Sequence, residues 1–579
     1  MEKITAQILI ENREYTKWSF VNPETGIEIE NNMIPPPTHF DPSELKLFTK
    51  DVVDITIQNP SKIDILMSPI RNLKYIAGVL ILDGNKTYGR TENKKRLLYK
   101  CIPDDKHLPA FLVSYDIKLG FFKSNENKYV IFKYENWNDK HPRGIILETL
   151  GNVSVLNVFY EYQLYCKSLH ASLADFTKKT RETLNKTSMD EYIERILKNP
   201  NYQIEDRKHE YIFTIDPANS QDFDDGFGVV ELPDGKCKVS IYIAQVYFWL
   251  DTLDLWDSFS KRVSTIYLPD QRRPMLPTIL SDNLCSLQKG EPRFALVLDI
   301  IIDEKGNIVE DEIKYKNVFI KVKKNYVYEK LMDNKYYNKL FDITTKLDET
   351  VKDSHDVVAY WMIKMNEICG KIFKDKQMGI FRTSKYQQTE QKYVNQTMSD
   401  NVRRVINHWN NVSGKYVLYD EGCNTEHEVM NISSYIHITS PIRRIVDLLN
   451  QMMMIHKLGL IQNISKRGEE FLNDWLKQID YINVSMKSIR KIQTDCNVLH
   501  RCYTDENIME KIYNGVVFDK TEKMSGMNMY MVYLEELNLL SRITTINNID
   551  NYSKISCRLY LFEDEDKIKK KIRLQMTEN

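Results

Sequence analysis

The stretch TIDPANSQDFDDGFGVV, residues 214–230, places four aspartates within ten positions. These are Asp216, Asp222, Asp224 and Asp225, and the runs on either side, YIFTID and KVSIYIAQV, are apolar and β-branched. Such runs predict buried strands, so the four carboxylates are expected in a loop between two strands. Like charges a few Å apart repel each other, and burial makes each charge costlier. The stretch therefore predicts a positive partner for the aspartates, or a loop that is fully solvated.

Three kinds of site compete for this loop. An EF-hand requires Asp or Asn at positions 1, 3 and 5 before the glycine at position 6. With Gly226 at position 6, Gln221 and Phe223 occupy positions 1 and 3, so that pattern fails. An ordinary acidic surface turn remains open. The third reading is a site for Mg²⁺ or Mn²⁺, because hard cations prefer oxygen ligands and Mg²⁺ often also binds substrate phosphate.

A second informative stretch is YIHITSPIRRIVDLLNQ, residues 435–451. Thr439 or Ser440 can cap a helix that has Pro441 in its first turn. On that helix Arg443 and Asp447 would be four residues apart and share a face. An arginine near a helix N-terminus can bind phosphate, since guanidinium groups contact phosphate bidentately. A capped surface helix with one ion pair is the alternative.

Composition limits the class of protein. The chain has 579 residues, 42% of them hydrophobic, and its 80 Lys and Arg balance 81 Asp and Glu to a net charge of −1. No global basic field exists, so a nucleic-acid partner would need a local groove. Nine scattered cysteines without a C-x-x-C pair disfavour disulfide frameworks and zinc ribbons. With no signal peptide or membrane span in view, we expect a soluble protein of the cytoplasm or nucleus.

The pattern changes along the chain in a way that predicts an α+β protein. Alternating short apolar runs predict β-structure before about residue 155, a helical pattern covers about 155–200, and β-character returns after about 508. Apolar residues spaced by three or four predict one long helix across 469–502. Short strands at this spacing are typical of small β-barrels.

Together these stretches resemble the ribonuclease II/R (RNB) family of processive 3′→5′ exoribonucleases. The similarity continues through RVSTIYLPDQRRPMLPTILSDNLCSLQKGEPRFAL at 262–296 and YIAQV at 242–246. CIPDDKHLP at 101–109 and HPRGIILETLGNV at 141–153 resemble the second cold-shock barrel of the eukaryotic exosome-type branch. No PIN endonuclease domain is recognised ahead of the barrels, so endonuclease activity is not expected.

The resemblance implies an RNB catalytic domain, a mixed sheet with helices, flanked by small OB-fold barrels. The expected domains are a β-rich N-terminal region with a first cold-shock or OB barrel (1–72), a second cold-shock-like barrel (73–160), the RNB domain (161–505) and a C-terminal RNA-binding barrel (506–579).

Residue roles follow from the same resemblance. Asp224 and Arg443 match catalytic positions, at the chemical step and the scissile phosphate. Asp216, Asp222 and Asp225 match the metal site, with Asp222 in a supporting position. The remaining matches are to RNA-binding positions, namely Tyr267, Tyr328 and Arg444.

One departure bears on RNA binding. Relatives usually carry a Glu-Glu pair ahead of a helix similar to VVAYWMIKMN at 357–366, where this chain has Ala359 and Tyr360. One of those glutamates contacts RNA in relatives. Part of the RNA contact is therefore expected to differ here, although no metal-binding aspartate is lost.

The implied function is Mg²⁺-dependent hydrolysis of single-stranded RNA from its 3′ end to nucleoside 5′-monophosphates, with Mn²⁺ as an alternative ion. The expected partner is single-stranded RNA rather than a membrane. The protein would act as a monomer or within a larger RNA-decay complex. Two alternatives stay open: an RNA-binding scaffold that has lost turnover, and a DNA-directed nuclease.

Overall fold

The computed structural model describes residues 3–29, 41–56, 59–116, 125–233, 235–330, 334–386, 398–399, 402–403, 405–406, 411–505, 507–522, 526–563 and 570–577. The predicted α+β class is confirmed, since the described residues form several sheets together with helices. Within these ranges, every helix is too short or too polar to cross a membrane.

The N-terminal part is a four-stranded antiparallel sheet of order β2-β1-β3-β4. Alternate side chains of its first strand, Ala6, Ile8 and Ile10, are buried, as expected for a strand with one face on a core. The strands are β1 (Lys3–Ile10), β2 (Trp18–Val21), β3 (Val52–Thr56) and β4 (Asn59–Met67).

A closed five-stranded barrel follows, with the order β5-β6-β7-β9-β8. Its interior shares one hydrophobic cluster with the N-terminal sheet, which includes Phe48, Phe111 and Trp137. The strands are β5 (Ile76–Leu80), β6 (Leu98–Pro103), β7 (Phe111–Ser114), β8 (Lys128–Asn136) and β9 (Arg143–Asn152). Closure leaves this small sheet without exposed strand edges.

The central part is built on a seven-stranded mixed sheet of order β10-β17-β16-β13-β12-β11-β18. The pairs β10–β17 and β11–β18 are parallel and the others antiparallel. Its strands are β10 (Ile204–Asp206), β11 (Phe213–Asp216), β12 (Asp225–Glu231), β13 (Cys237–Ala244), β16 (Pro292–Ile302), β17 (Lys314–Lys321) and β18 (Lys324–Val327). A short hairpin, β14 (Ile266–Tyr267) with β15 (Arg272–Arg273), and a second antiparallel pair, β19 (Ile380–Tyr386) with β20 (Asn411–Leu418), lie outside this sheet.

The described helices lie before, within and after the central sheet in the chain, and the helical pattern predicted for about 155–200 is confirmed. They are α1 (Leu156–Cys166), α2 (Ala174–Leu184), α3 (Met189–Leu197), α4 (Val246–Thr252), α5 (Lys335–Leu347), α6 (Ser354–Asp375), α7 (Ile445–Lys457), α8 (Lys466–Leu476) and α9 (Ile479–Thr504).

The prediction of one helix across 469–502 is wrong, because α8 ends at Leu476 and α9 begins at Ile479. Trp475, Ile479 and Ile482 keep helical spacing across the break, and no glycine or proline marks it. The spacing of the apolar residues is therefore the same on both sides of the break, and it does not show where one helix ends and the next begins.

The predicted start of the helix after Ser440 is also wrong, since α7 begins only at Ile445. Arg443 O accepts a hydrogen bond from Thr265 N (2.9 Å), and Ile445 N donates to Val263 O (2.9 Å). This pairing with the neighbouring segment holds Arg444 in an extended conformation, φ −137° and ψ 127°, and so delays the helix.

The C-terminal part is a five-stranded sheet of order β23-β22-β21-β24-β25. Its strands are β21 (Tyr513–Glu522), β22 (Asn528–Leu534), β23 (Leu539–Thr545), β24 (Lys554–Glu563) and β25 (Lys570–Met576). The β-character expected after about residue 508 is confirmed, whereas the domain boundaries and the barrel assignments of the N- and C-terminal parts stay predictions.

Candidate active site

Both informative stretches line one cavity of about 650 Å³. Every residue assigned to a site from the sequence is at its wall: Asp216, Asp222, Asp224, Asp225, Tyr267, Tyr328, Arg443 and Arg444. The loop and the 435–451 stretch are more than 200 residues apart in the chain, so this proximity arises only in the tertiary structure.

Two adjacent strands hold the aspartate loop. Asp216 is the last residue of β11 and Asp225 the first residue of β12, where it pairs with Ile243 of β13. The main chain of Asp224 is held as well, because its carbonyl oxygen accepts a hydrogen bond from Ala244 N at 2.8 Å. Asp216 and Asp225 therefore lie at the ends of two interior strands, with Asp222 and Asp224 in the loop between them, as the apolar flanks predict.

Asp224 joins the loop to the 435–451 stretch. Its Oδ1 accepts a hydrogen bond from Ile442 N (2.8 Å), and its Oδ2 accepts one from Arg443 Nε (3.2 Å). The Asp224 side chain is 3% exposed, whereas that of Arg443 is 42% exposed and reaches into the cavity. The ion pair of Asp447 is with Arg444 (2.9 Å) and not with Arg443, although Asp447 stays close enough for its charge to act on Arg443.

Burial dominates the electrostatics of the aspartates. It raises the pKa of Asp216, Asp224 and Asp225 above the ordinary range of a carboxyl group. The charge of Arg443 opposes this shift at each of the three pKa values, and the neighbouring carboxylates add to it. Three such groups on one cavity wall form an environment that favours a cationic ligand.

The donor set fits a hard divalent cation. Asp216 Oδ2 is buried and has no hydrogen-bond partner among the described residues, so an acceptor is left for a further positive group. In the described part of the chain, no group of three or more His, Cys, Asp or Glu side chains is arranged to hold a metal ion by itself. Mg²⁺ commonly binds through one or two carboxylates and completes its shell with water and substrate oxygens.

Asp222 has a different environment from the other aspartates. Its Oδ1 is 2.8 Å from Arg272 Nη1, and its Oδ2 accepts a long hydrogen bond from the Tyr267 hydroxyl (3.4 Å). Arg272 and Tyr267 are cross-strand partners of the β14–β15 hairpin. The assignment of Asp222 to a metal site stays a prediction, but in this structure its carboxylate is engaged by protein groups.

The two remaining RNA-contact candidates differ in how firmly they are held. Arg444 donates hydrogen bonds through Nη2 to Asp447 Oδ1 (2.9 Å) and Ser440 Oγ (3.2 Å). Tyr328 stacks on His355, with ring centroids 3.8 Å apart and an interplanar angle of 10°. Both side chains line the cavity, and their roles in RNA binding stay predictions.

Helix α6 contributes a largely apolar wall. Val358, Met362 and Asn366, spaced by four residues, line the cavity. Ala359 and Tyr360, which stand where relatives have two glutamates, are not among the cavity-lining residues, and Tyr360 packs edge-on against Trp361 at 5.2 Å. This side of the cavity therefore lacks the acidic contact that the resemblance would lead one to expect.

Sequence reasoning missed several cavity residues. Tyr435, His437 and Thr439 line the cavity, while Ile436 and Ile438 between them are fully buried. This alternation is the period-two signal of an extended segment, and it is visible in the quoted stretch. Arg272 was also missed, and no sequence pattern connects it to Asp222, because the two meet only through folding.

Comparison with known proteins identifies the central region. The RNB domain family model matches residues 204–335 and 331–459. Ribonuclease R of Aquifex aeolicus is 30% identical over 199 residues, which cover 34% of this chain and 27% of that protein. Exoribonuclease 2 of Escherichia fergusonii is 40% identical over 121 residues, covering 21% of this chain and 19% of that protein. The chain thus matches about a quarter or less of the length of these relatives.

Solved structures extend the likeness to the whole fold. Mycoplasma genitalium RNase R in complex with ribose-methylated single-stranded RNA has a TM-score of 0.72 at 16% identity, covering 99% of this chain and 100% of that one. Yeast Ssd1, a pseudonuclease, has a TM-score of 0.58 at 12% identity, covering 96% and 80%. At these identities the likeness establishes the fold alone. Because the curated relatives named above are bacterial, the narrower assignment to a eukaryotic exosome-type branch stays a prediction.

Proposed function

Since the chain carries an RNB domain and belongs to the ribonuclease II/R family, we propose that it is a hydrolytic 3′→5′ exoribonuclease. It acts on single-stranded RNA, processively, and releases nucleoside 5′-monophosphates. The observation that carries this proposal is the convergence of the aspartate loop and Arg443 on one cavity, joined through the 3.2 Å contact between Arg443 Nε and Asp224 Oδ2.

The side chains of the cavity divide into three roles. Asp216 and Asp225 are the carboxylates that would hold Mg²⁺, or Mn²⁺ in its place, with Asp222 in a supporting position. When bound, the ion supplies positive charge against the reacting phosphate. The assignment is supported by Asp216 Oδ2, which is buried and has no hydrogen-bond partner among the described residues.

Arg443 would stabilise the charge that develops on the scissile phosphate. Its guanidinium is oriented by Asp224 through Nε, while Nη2 donates to Ser440 Oγ at 3.0 Å. A donor that is already oriented requires little reorganisation when charge develops, and this is the basis of electrostatic stabilisation in enzymes. Asp224 orients that guanidinium and is one of the residues that line the cavity, where it would position the attacking water.

Tyr267 and Tyr328 would contact the nucleotides that lead to the site. Both side chains line the cavity, and stacking a base on an aromatic ring contributes about 1–3 kcal/mol. Contacts to the ribose 2′-hydroxyl would let the site distinguish RNA from DNA. The barrels on either side of the central domain would guide the strand, either in the isolated protein or within a larger RNA-decay complex.

The experiment compares wild type with Asp224→Asn on a labelled single-stranded RNA oligomer, with Mg²⁺ and with EDTA. Wild type is expected to shorten the RNA only with Mg²⁺, whereas the variant keeps RNA affinity and loses about 10²–10³ in rate. Asp311→Asn, at an exposed residue that does not line the cavity, serves as the matched control. A variant as active as wild type would reject the role of Asp224, and equal digestion of a DNA oligomer would indicate a DNA-directed nuclease.

A second candidate function is an RNA-binding scaffold without turnover. It is favoured by the fold likeness to the pseudonuclease Ssd1 and by the apolar α6 wall in place of two glutamates. The retained aspartates and Arg443 argue against it, because a site without selection for turnover would be expected to lose charged groups that are costly to bury. RNA binding without any Mg²⁺-dependent product in the same experiment would favour the scaffold.

A further inference from the structure

The β14–β15 hairpin presents two side chains to the aspartate loop. Its register pairs Ile266 with Arg273 and Tyr267 with Arg272. Directly opposed residues in an antiparallel pair project to the same face. Tyr267 and Arg272 therefore face Asp222 together, while Arg273 turns away and pairs with Asp270 (2.5 Å) and Glu161 (3.1 Å).

Arg272 bridges two acidic segments of the cavity wall. Its Nη1 lies 2.8 Å from Asp222 Oδ1, and its Nη2 lies 2.5 Å from Asp282 Oδ2. The same Nη2 donates a hydrogen bond to Gln221 Oε1 at 3.0 Å. Asp282 is held in turn by the Ser281 hydroxyl, at 2.6 Å. The guanidinium is thus ion-paired with a carboxylate on either side, while its hydrogen bond is the one from Nη2 to Gln221; Nη1 has no hydrogen-bond partner among the described residues.

These contacts are sheltered from water. The side chains of Asp222, Arg272 and Asp282 are only 10%, 20% and 19% exposed. An ion pair that is partly buried and bridged on both sides of one planar guanidinium is better ordered than an exposed surface pair. Asp222 differs in this respect from Asp216, whose buried Oδ2 has no hydrogen-bond partner among the described residues.

We propose that Asp222 and Arg272 form a positioning pair that fixes Tyr267 relative to the carboxylates of Asp216 and Asp225, and that Asp222 is not itself a metal ligand. This inference rests on the proposed function, because it assigns Tyr267 to the last bases of the RNA. Asp282 holds the far side of the guanidinium. The tyrosine is additionally fixed through its main chain, since Tyr267 N donates to Gln493 Oε1 of α9 at 3.1 Å.

The alternative is that Asp222 ligates the metal and that Arg272 binds a phosphate of the RNA. In that case the 2.8 Å pair would have to open before either residue could act. Arg272 would also have to leave Asp282, which would remain partly buried without its counter-charge. The observed geometry favours a fixed support over a pair that must separate.

Metal binding in the absence of RNA tests the first half of the proposal. Mn²⁺ is the probe, and the bound fraction is measured by electron paramagnetic resonance for wild type, Asp216→Asn and the double variant Asp222→Asn/Arg272→Gln. The double variant removes the pair without changing net charge. Its Mn²⁺ affinity is expected to stay within threefold of wild type, whereas Asp216→Asn should weaken binding by about 10-fold or more, since even a group beside a ligand can cost that much.

Base stacking tests the second half. An RNA with 2-aminopurine at its 3′ end is bound in EDTA, so that no hydrolysis occurs, and quenching of the 2-aminopurine fluorescence reports stacking. Tyr267→Ala gives the fluorescence of the unstacked 2-aminopurine, with which the other variants are compared. Arg272→Gln and Asp222→Asn are each expected to lose most of the quenching and about fivefold or more in affinity, the lower end of what one stacked base contributes. The double variant should be no worse than either single variant, because paired residues act non-additively.

Arg273→Gln is the matched control, because it breaks ion pairs of the same hairpin on the opposite face. It is expected to keep the quenching of wild type. The proposal is overturned if Arg273→Gln loses as much quenching as Arg272→Gln, if the single effects add in the double variant, or if the double variant loses Mn²⁺ as Asp216→Asn does. A wild type that neither binds nor digests RNA would instead overturn the proposed function.

Discussion

At the residue scale, the site depends on charges that are unfavourable in the absence of a cation. Asp224 is 3% exposed and is partly neutralised by Arg443 and by Ile442 N. Burial raises the pKa of the Asp216 and Asp225 carboxyl groups, and at Asp216 a hydrogen bond with Thr214 offsets only part of that rise. Removing one of these charges should therefore stabilise the metal-free protein while it damages the site, as is common where stability and function oppose each other.

Asp225→Asn is expected to raise the melting temperature of the protein in EDTA, and to do so more at pH 8 than at pH 5. In the unfolded chain an aspartate has its ordinary pKa near 3.9, while in the folded protein the pKa of Asp225 is raised. A raised folded-state pKa means that stability is fully present below the unfolded pKa and is lost as pH rises through the folded one. The variant avoids this loss, and each kcal/mol regained corresponds to about 2–4 °C for a domain of 150–250 residues.

Differential scanning fluorimetry between pH 5 and pH 8 measures this effect. The exposed Asp311→Asn is the control, and its melting temperature should differ from that of wild type by the same amount at both pH values. Added Mg²⁺ should stabilise wild type more than Asp225→Asn, because a ligand that binds only the folded state raises its stability. A constant or negative difference for Asp225→Asn across the pH range would contradict the assigned electrostatics.

At the element scale, the cavity wall depends on how closely α6 approaches the extended segment 434–439. A Cβ atom on Gly370 would lie 2.4 Å from Ser434 O and 3.1 Å from Tyr435 N. The helix and the segment are further tied by Asn366, whose Oδ1 accepts from Ile438 N (3.0 Å) and whose Nδ2 donates to the Tyr435 hydroxyl (3.2 Å). The glycine is thus required by the close approach of two backbones.

Gly370→Ala is expected to destabilise the protein and to disturb the cavity wall formed by Asn366 and Tyr435. The added methyl meets main-chain atoms, which cannot rotate away, and overpacking of this kind costs about 1–3 kcal/mol. The gain in helix propensity from glycine to alanine, up to about 1 kcal/mol, is too small to compensate fully. Chemical denaturation measures the loss, with Lys374→Ala at an exposed position of the same helix as the control. Unchanged stability of Gly370→Ala would show that the two backbones can separate freely.

At the scale of the whole molecule, the central domain also covers part of the C-terminal sheet. Val402 and Ile406 lie between β19 and β20 in the chain, and they form a buried cluster with Val516 and Phe518 of β21 and with β22. The Ser399 hydroxyl adds a hydrogen bond to Glu535 Oε1 at 2.8 Å. This contact attaches one face of the C-terminal sheet to the domain that carries the active site.

Ile406→Asp is expected to loosen the C-terminal sheet from the central domain. Ile406 is fully buried, so the variant both loses apolar contacts and buries a charge, at a cost of at least about 2 kcal/mol. Hydrogen exchange of β21 and β22 should become faster, while β11 and β12 at the active site keep their protection. Glu535→Ala, at an exposed position, removes the hydrogen bond from Ser399 and leaves Ser399 Oγ to accept from Val402 N (3.3 Å), so it is the control and should leave exchange unchanged. Equal protection of β21 and β22 in Ile406→Asp and wild type would contradict the attachment.

Much of the site could be predicted from the sequence because its chemistry is concentrated in two short stretches. Four carboxylates between two apolar runs predicted a loop held by buried strands, and Asp216 and Asp225 do stand at the ends of β11 and β12. The period-two alternation of Tyr435, His437 and Thr439 is likewise visible in the sequence. The start of α7 was not readable, since Ser440 and Pro441 have the local preferences of a helix start and only pairing with residues 263–265 overrides them.

The sequence by itself determined the α+β class, the strands that flank the aspartates and the residue types available to the site, because these follow from local periodicity and side-chain chemistry. Only the tertiary structure decided which charges meet. Arg443 pairs with Asp224 instead of Asp447, and Asp222 pairs with Arg272, fifty residues further along the chain. The physical reason is that ion pairs depend on distance in space, and for residues far apart in the chain that distance is set by how sheets and helices pack, which no local pattern encodes.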